Sequence, residues 1–303
     1  MYYVALFFVK LLSLMPFWLL YRFSDISFLI VYHLVGYRRK VVSENLRFSF
    51  PEKTESERNT IQKKFYRHFC DLLFEGFKLM SVRTKEMDKR MQYIGGETAM
   101  KHFKENRSVM ILTSHYGNWE WLSTFSRYLP EENLVYQVYK HQKNEISDRV
   151  ISILRTRFGA VNIEMKSLYR MLIKLKDAGK LGVFGMISDQ SPNRNSIHYR
   201  TVFLNQDTPM IDGTEQIARK FNYPVYYCRM TKVKRGYYVC NFMPISIEPN
   251  LSGEHEITEK YARLLEKDIQ QAPEYWLWSH KRWKYSNTRN ANNQNSDREK
   301  QPE

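Results

Sequence analysis

Cysteine is scarce: the 303 residues hold three, Cys70, Cys228 and Cys240. An odd number without metal-ligand spacing argues against a disulfide framework and a thiolate metal site, and fits buried or free thiols in a reduced compartment. Acidic side chains are also short, 32 against 47 basic ones, leaving a formal net charge of +15. That excess favours an anionic partner: nucleic acid, an anionic membrane face, a phosphorylated substrate or an acidic carrier protein. No internal repeat is found. A secretory leader lacks its marks too, since no positive n-region precedes the first apolar stretch and no small-x-small site follows it.

What the N-terminus does hold is apolar. Tyr2 to Leu20 is broken only by Lys10, Ser13 and Pro16, and a second run extends from Ile26 to Val35. The first approaches the ~20 residues that cross a bilayer, but Lys10 and Pro16 leave either a tilted, kinked span or an interfacial helix. Residues 1–36 are therefore expected to form a retained membrane anchor. Tyr37-Arg-Arg-Lys40 follows directly, and the positive-inside rule puts such a cluster, with the bulk of the chain, on the cytoplasmic side.

Val41 to Phe50 and Glu55 to Met80 read as helices, the second with an apolar stripe expected in the core. From Tyr93 short β-like runs alternate with amphipathic helices, the pattern of an α/β domain with a sheet flanked by helices. The strands expected are Val109 to Thr113, Leu134 to Tyr139, Leu181 to Ile187 and Tyr223 to Met230. Tyr237 to Phe242 returns antiparallel across the Lys234-Arg235-Gly236 turn. This domain is expected over 37–285, with 286–303 a polar, Asn-rich, disordered tail.

Within it, the strand Val109 to Thr113 delivers His115 to its carboxyl end, and Asn118 is placed to cap a helix carrying Trp121, Leu122, Phe125 and Leu129. Glu120 falls in that helix's first turn. Across a strand-to-helix turn the two side chains can converge, and an ionised Glu120 would fix the imidazole's tautomer and raise its basicity. The plainer alternative is a satisfied histidine at a strand end, with Glu120 serving only the helix dipole.

Four further stretches stand out. Lys140 precedes a helix ending in Arg155-Thr-Arg157-Phe-Gly159. Arg157 shares its apolar face and Arg155 lies beyond the edge, either snorkelling or contacting an anion. Asp189 and Gln190 end an apolar strand, where α/β sheets place sites, or simply form a turn. Thr201 to Leu204 with Asp207 to Pro209 lines a pocket or a buried edge. Pro273 to Lys284 interleaves three tryptophans with His280, Lys281, Arg282 and Lys284, which suits base stacking, a phosphorylated headgroup at a membrane interface, or a core helix with a solvated basic face.

In order, Tyr37 to Leu46, Ser49-Phe-Pro-Glu52, His115 with Glu120, Arg155 with Gly159, Asp189-Gln190, and Pro273-Glu274 with Trp278, His280 and Arg282 resemble the late acyltransferases of lipid A biosynthesis. The resemblance implies a glycerol-phosphate acyltransferase-like fold with a mixed sheet. It implies transfer of a fatty acyl chain from acyl carrier protein to a hydroxyl of a lipid A precursor at the inner membrane, on its cytoplasmic side. His115 would be general base and Glu120 its orienting carboxylate. Arg155 would hold the thioester oxygen or a phosphate, with Asp189, Gln190, Lys140 and Arg157 contributing to substrate binding. Neither metal, cofactor nor nucleic acid is implied. Two departures stand out: Lys140 occupies a position often held by Arg, and Asn205 one where glycine is common. Glycerolipid acyltransferases more often pair His with Asp and carry a Glu-Gly-Thr-Arg element, which this chain lacks. Acylation of another glycolipid or aminolipid, and non-catalytic binding of anionic lipid or nucleic acid, are the alternatives.

Overall fold

The computed structural model describes residues 2–130 and 133–286. Helices α1 (Tyr2–Leu14) and α2 (Phe17–Leu29) are separated at Pro16, which lacks the amide needed to continue α1. α2 widens into π-turns over Ile30–Val35 and stops at Gly36, whose φ of 62° is a left-handed cap. α3 (Arg39–Ser49) and α4 (Glu55–Lys78) follow. α4 starts on a capping box: the Thr54 hydroxyl accepts from the Glu57 amide at 3.3 Å, and the Glu57 carboxylate accepts from the Thr54 amide at 2.7 Å.

The rest is built around a sheet. In chain order come α5 (Thr84–Arg90), β1 (Met91–Ile94), α6 (Gly96–Met100), β2 (Val109–Thr113), β3 (Leu134–Tyr139), α7 (Glu145–Thr156), β4 (Val161–Glu164), α8 (Leu168–Asp177) and β5 (Gly182–Ile187). Then come β6 (Tyr199–Phe203), β7 (Gln206–Met210), α9 (Gly213–Phe221), β8 (Val225–Lys234), β9 (Tyr237–Ser246) and α10 (Glu256–Gln271). Seven strands form one mixed sheet in the order β1-β9-β8-β2-β5-β3-β4, parallel except for the β8–β9 hairpin pairing. The mixed α/β reading thus holds, with the short edge strands β1 and β4 added to those expected.

β2 is buried along its whole length, as a central parallel strand flanked on both faces should be. Its period of two divides the core: Met110 and Leu112 join one cluster with α4, α9 and α10, while Val109 and Ile111 join the other with α1 and α7. On the α4 stripe, Ile61 and Phe65 are buried as expected, but Leu73 is exposed.

β6 and β7 form a separate hairpin. Its turn residues Leu204 and Asn205 have φ of 49° and 62°, a two-residue turn that asparagine enters more readily than most side chains. Asn205 thus fits the left-handed turn position at which it departs from the resembling family's glycine, and its amide also donates to the Ser49 carbonyl at 3.1 Å. The hairpin buries most of β7 and Phe203, which packs edge-on to Trp276, while Val202 on β6 is exposed. Ser286, assigned to the tail from sequence, is fully buried and bonded to the Trp283 carbonyl. Residues 287–303 lie outside the described part.

Candidate active site

The site forms where β2 and β5 end. Their parallel register pairs Thr113 with Ile187, and the Ser188 amide extends the ladder by donating to the Thr113 carbonyl. Two residues beyond that pair on each strand, His115 and Asp189 therefore arrive side by side. Asp189 Oδ1 lies 2.8 Å from His115 Nδ1, and its Oδ2 accepts from the His115 amide at 3.0 Å and from Trp276 Nε1 at 2.8 Å. Burial alone would raise the Asp189 pKa, but the imidazole's charge and these donors outweigh it and hold it below the ordinary value. An ionised Asp189 at Nδ1 fixes the tautomer with Nε2 as acceptor. Nε2 faces the Gln190 amide at 3.2 Å.

Glu120 lies elsewhere than expected. Asn118 caps its segment as read from sequence, accepting from the Trp121 amide at 3.3 Å. The segment Trp119–Tyr128, however, is a 3-10 helix. Ser123, Thr124 and Ser126 each return a hydroxyl to the carbonyl three residues back, at 2.8–2.9 Å, which supports the tighter winding. The Glu120 carboxylate takes two hydrogen bonds from Arg155, at 2.7 and 2.6 Å, and one from Trp119 Nε1 at 3.0 Å. Burial would raise its pKa, yet Arg155 more than compensates and lowers it. The carboxylate bonded to His115 is thus Asp189, and Glu120 is the partner of Arg155.

That ion pair also lines an apolar pocket, together with Thr113 and Trp119. Ile111, Leu122, Phe125, Val135, Val183 and Phe242 line the remainder, around about 620 Å³ of empty space with its mouth included.

The sequence profile of the bacterial lipid A biosynthesis acyltransferases matches residues 1–285. The chain belongs to that family. Among its relatives, the lipid A biosynthesis lauroyltransferase of Escherichia coli (strain K12) is 23% identical over 249 residues, 82% of this chain and 79% of the relative. The palmitoleoyltransferase of the same organism is 22% identical over 251 residues, with the same coverage. A lipid A biosynthesis acyltransferase of Haemophilus influenzae is 21% identical over 287 residues, 91% of this chain and 85% of the relative.

Of the residues expected at the site of this acyltransferase, His115, Asp189 and Gln190 meet directly, and Glu120 with Arg155 lines the adjoining pocket. Arg157 does not join them: its guanidinium donates to the Leu79 carbonyl and lies over Phe158. Lys140 is exposed beyond β3.

The segment after α10 corrects a larger expectation. Trp276, Trp278, Trp283 and Arg282 are all buried, so they form neither a stacking platform nor an interfacial belt. Arg282 donates to the Pro209 carbonyl at 2.7 Å and Trp283 to the Thr208 hydroxyl at 2.7 Å, tying the segment to the β6–β7 hairpin. The same segment zips along the turn that carries His115, the Leu277 amide donating to the His115 carbonyl and the Gly117 amide to the Tyr275 carbonyl. Sequence reasoning assigned no role to Asn45, whose amide donates to the carbonyls of Trp278 and His280 at 2.8 and 2.9 Å. Its signal was an asparagine on the apolar face of α3 between Val42 and Leu46, where a buried amide needs partners.

Proposed function

We propose that the protein is a membrane-bound O-acyltransferase that moves a fatty acyl chain from acyl carrier protein to a hydroxyl of a lipid A precursor, with His115 as general base. The observation that carries the mechanism is the buried contact of Asp189 with His115 Nδ1, which leaves Nε2 as the proton acceptor. The acceptor's hydroxyl takes the place of the Gln190 amide at Nε2. Its pKa lies far above that of imidazole, so the proton moves to Nε2 as the oxygen attacks the thioester carbonyl. Collapse breaks the carbon–sulfur bond, and the proton passes to the leaving thiolate. No covalent enzyme intermediate is required.

The apolar pocket supports binding of the acyl chain, whose carbonyl would then lie at the Thr113 and Glu120 end. The two-point bond from Arg155 consumes its Nε and Nη2, so its first role is to hold Glu120 and shape that end. The sheet with its site at the carboxyl ends of parallel strands is consistent with a glycerol-phosphate acyltransferase-like fold. The apolar residues 1–36, the cationic surplus and the family's lipid acceptors support work at the cytoplasmic face of the inner membrane.

The test is transfer by purified full-length protein in detergent, given acyl carrier protein thioesters and a lipid A precursor and read by mass spectrometry. Acylated precursor is expected from the native chain and none from His115→Ala. Undiminished turnover by a folded His115→Ala variant would remove the mechanism.

A further inference from the structure

α2 with its π-turn extension offers a largely apolar helix of 19 residues, Phe17–Val35, enough by length and average hydropathy to cross a bilayer. Its contacts argue against crossing. α2 runs antiparallel along α4, and the pairs step regularly down both helices. Tyr21 donates to Glu75 at 2.9 Å, Ser24 to Asp71 at 2.7 Å, Phe28 lies beneath Arg67, and Tyr32 packs on Tyr66. Asp25 is paired with Arg235 of the β8–β9 turn at 2.7 Å, and Arg235 also holds Asp71. Were α2 to cross, Arg67, Asp71, Glu75 and Arg235 would be carried into the hydrocarbon beside it, where ionisable groups are costly. α1 is fastened as well: Lys78 donates to the carbonyls of Ser13 and Met15 at 2.7 and 2.6 Å, satisfying the end of that helix from within the domain.

The opposite faces of the two helices are bare and apolar. Phe7 and Phe8 on α1 are 62% and 56% exposed, and Trp18 and Ile26 on α2 are 67% and 53% exposed. Scattered apolar residues on a surface mean little, but large exposed apolar side chains gathered on two helices that both pack on α4 mark an interaction surface. Lys10, Arg22, Arg38, Arg39 and Lys40, all exposed, stand among or beside it. This pairing of an apolar plate with cations complements the acyl region and anionic headgroups of a phospholipid leaflet.

We propose, resting on the membrane-bound reading above, that α1 and α2 lie in the plane of one leaflet as a monotopic anchor and do not cross the bilayer. The plate enters the headgroup and upper acyl region, and α4 stays on the aqueous side. Both ends of the apolar segment then face the compartment that holds the catalytic domain, and the site sits at the lipid surface from which its acceptor is drawn.

Nitroxide labels placed singly on exposed positions, by Tyr3→Cys, Phe7→Cys, Trp18→Cys, Ile26→Cys and Leu34→Cys, test this in the full chain bound to phosphatidylethanolamine–phosphatidylglycerol vesicles. Depth is read from relative accessibility to oxygen and to a water-soluble nickel chelate. The expected profile is shallow throughout, rising and falling with the helical repeat and never reaching the midplane. A profile that reaches the midplane near Ile26 and returns to water on the far side overturns the monotopic placement while leaving membrane attachment intact. Labels that stay wet, with unlabelled chain failing to float with vesicles in a density gradient, overturn the attachment itself and the proposal with it.

Discussion

Asp189 Oδ1 lies 2.8 Å from His115 Nδ1, although 74 residues separate the two in the chain, while Glu120, only five residues from His115, is held by Arg155. The imidazole therefore takes its carboxylate partner from the end of the neighbouring parallel strand. A side chain fixed at a strand end adjusts less than one on a turn, so this origin suits a group that must hold an imidazole in one tautomer.

Asp189→Asn should preserve volume and burial while removing the charge that fixes His115. Steady-state kinetics are expected to show kcat lower by roughly 10²–10⁴, the range of general-base catalysis, with KM nearly unchanged. A variant with native kcat would mean that Asp189 is structural only.

Glu120→Ala leaves the partly buried Arg155 without its partner and should destabilise by roughly 1–3 kcal/mol, below the 3–5 of fully buried pairs because solvent reaches this one. Replacing both residues by leucine should recover part of the loss. Denaturant melts of Glu120→Leu, Arg155→Leu and the double leucine variant measure the coupling, and strictly additive losses would show that the pair contributes nothing as a pair.

His280 gives stability a pH dependence. Burial foremost, with neighbouring cations, pulls its pKa from 6.5 down to about 4, and its neutral Nε2 accepts from the Ser191 amide at 3.3 Å. Between those values the unfolded chain binds a proton that the folded chain refuses. Its contribution is thus complete above pH 6.5 and lost as pH falls toward 4, by roughly 3 kcal/mol at most. Thermal melts at pH 7 and 4.5 should show a smaller drop for His280→Gln than for the native protein, and equal drops would remove His280 as the cause.

Gly117→Ala should be poorly tolerated. The residue sits at φ 62°, and an added Cβ would come within 2.6 Å of Met230 Sδ. The turn between His115 and Asn118 would have to move, so activity should fall more steeply than melting temperature. Native activity with a native melting temperature would show that the turn has slack.

Much of this protein is local and was legible as such. The apolar run of β2, the Asn118 cap, the helix of α4 and the β8–β9 hairpin follow from periodicity and capping within a few residues. His115 at a strand end was readable for the same reason. So was the interest of Asp189, an acid closing an apolar strand. The pairing of the two was not, because it depends on β2 and β5 being neighbours, and strand order is set by packing across the whole sheet.

The tryptophans after α10 show the same limit from the other side. Their spacing beside basic residues suits a surface as well as a core, and only the β6–β7 hairpin, with Thr208 and Pro209 waiting as acceptors, decides that they are buried. The sequence by itself determined that residues 1–36 carry an apolar surface and that His115 could act as a base. The tertiary structure decided that Asp189 is bonded to His115 and that Glu120 answers Arg155. Parallel strands in register bring distant residues within hydrogen-bonding distance, whereas nearness along the chain leaves side-chain direction open.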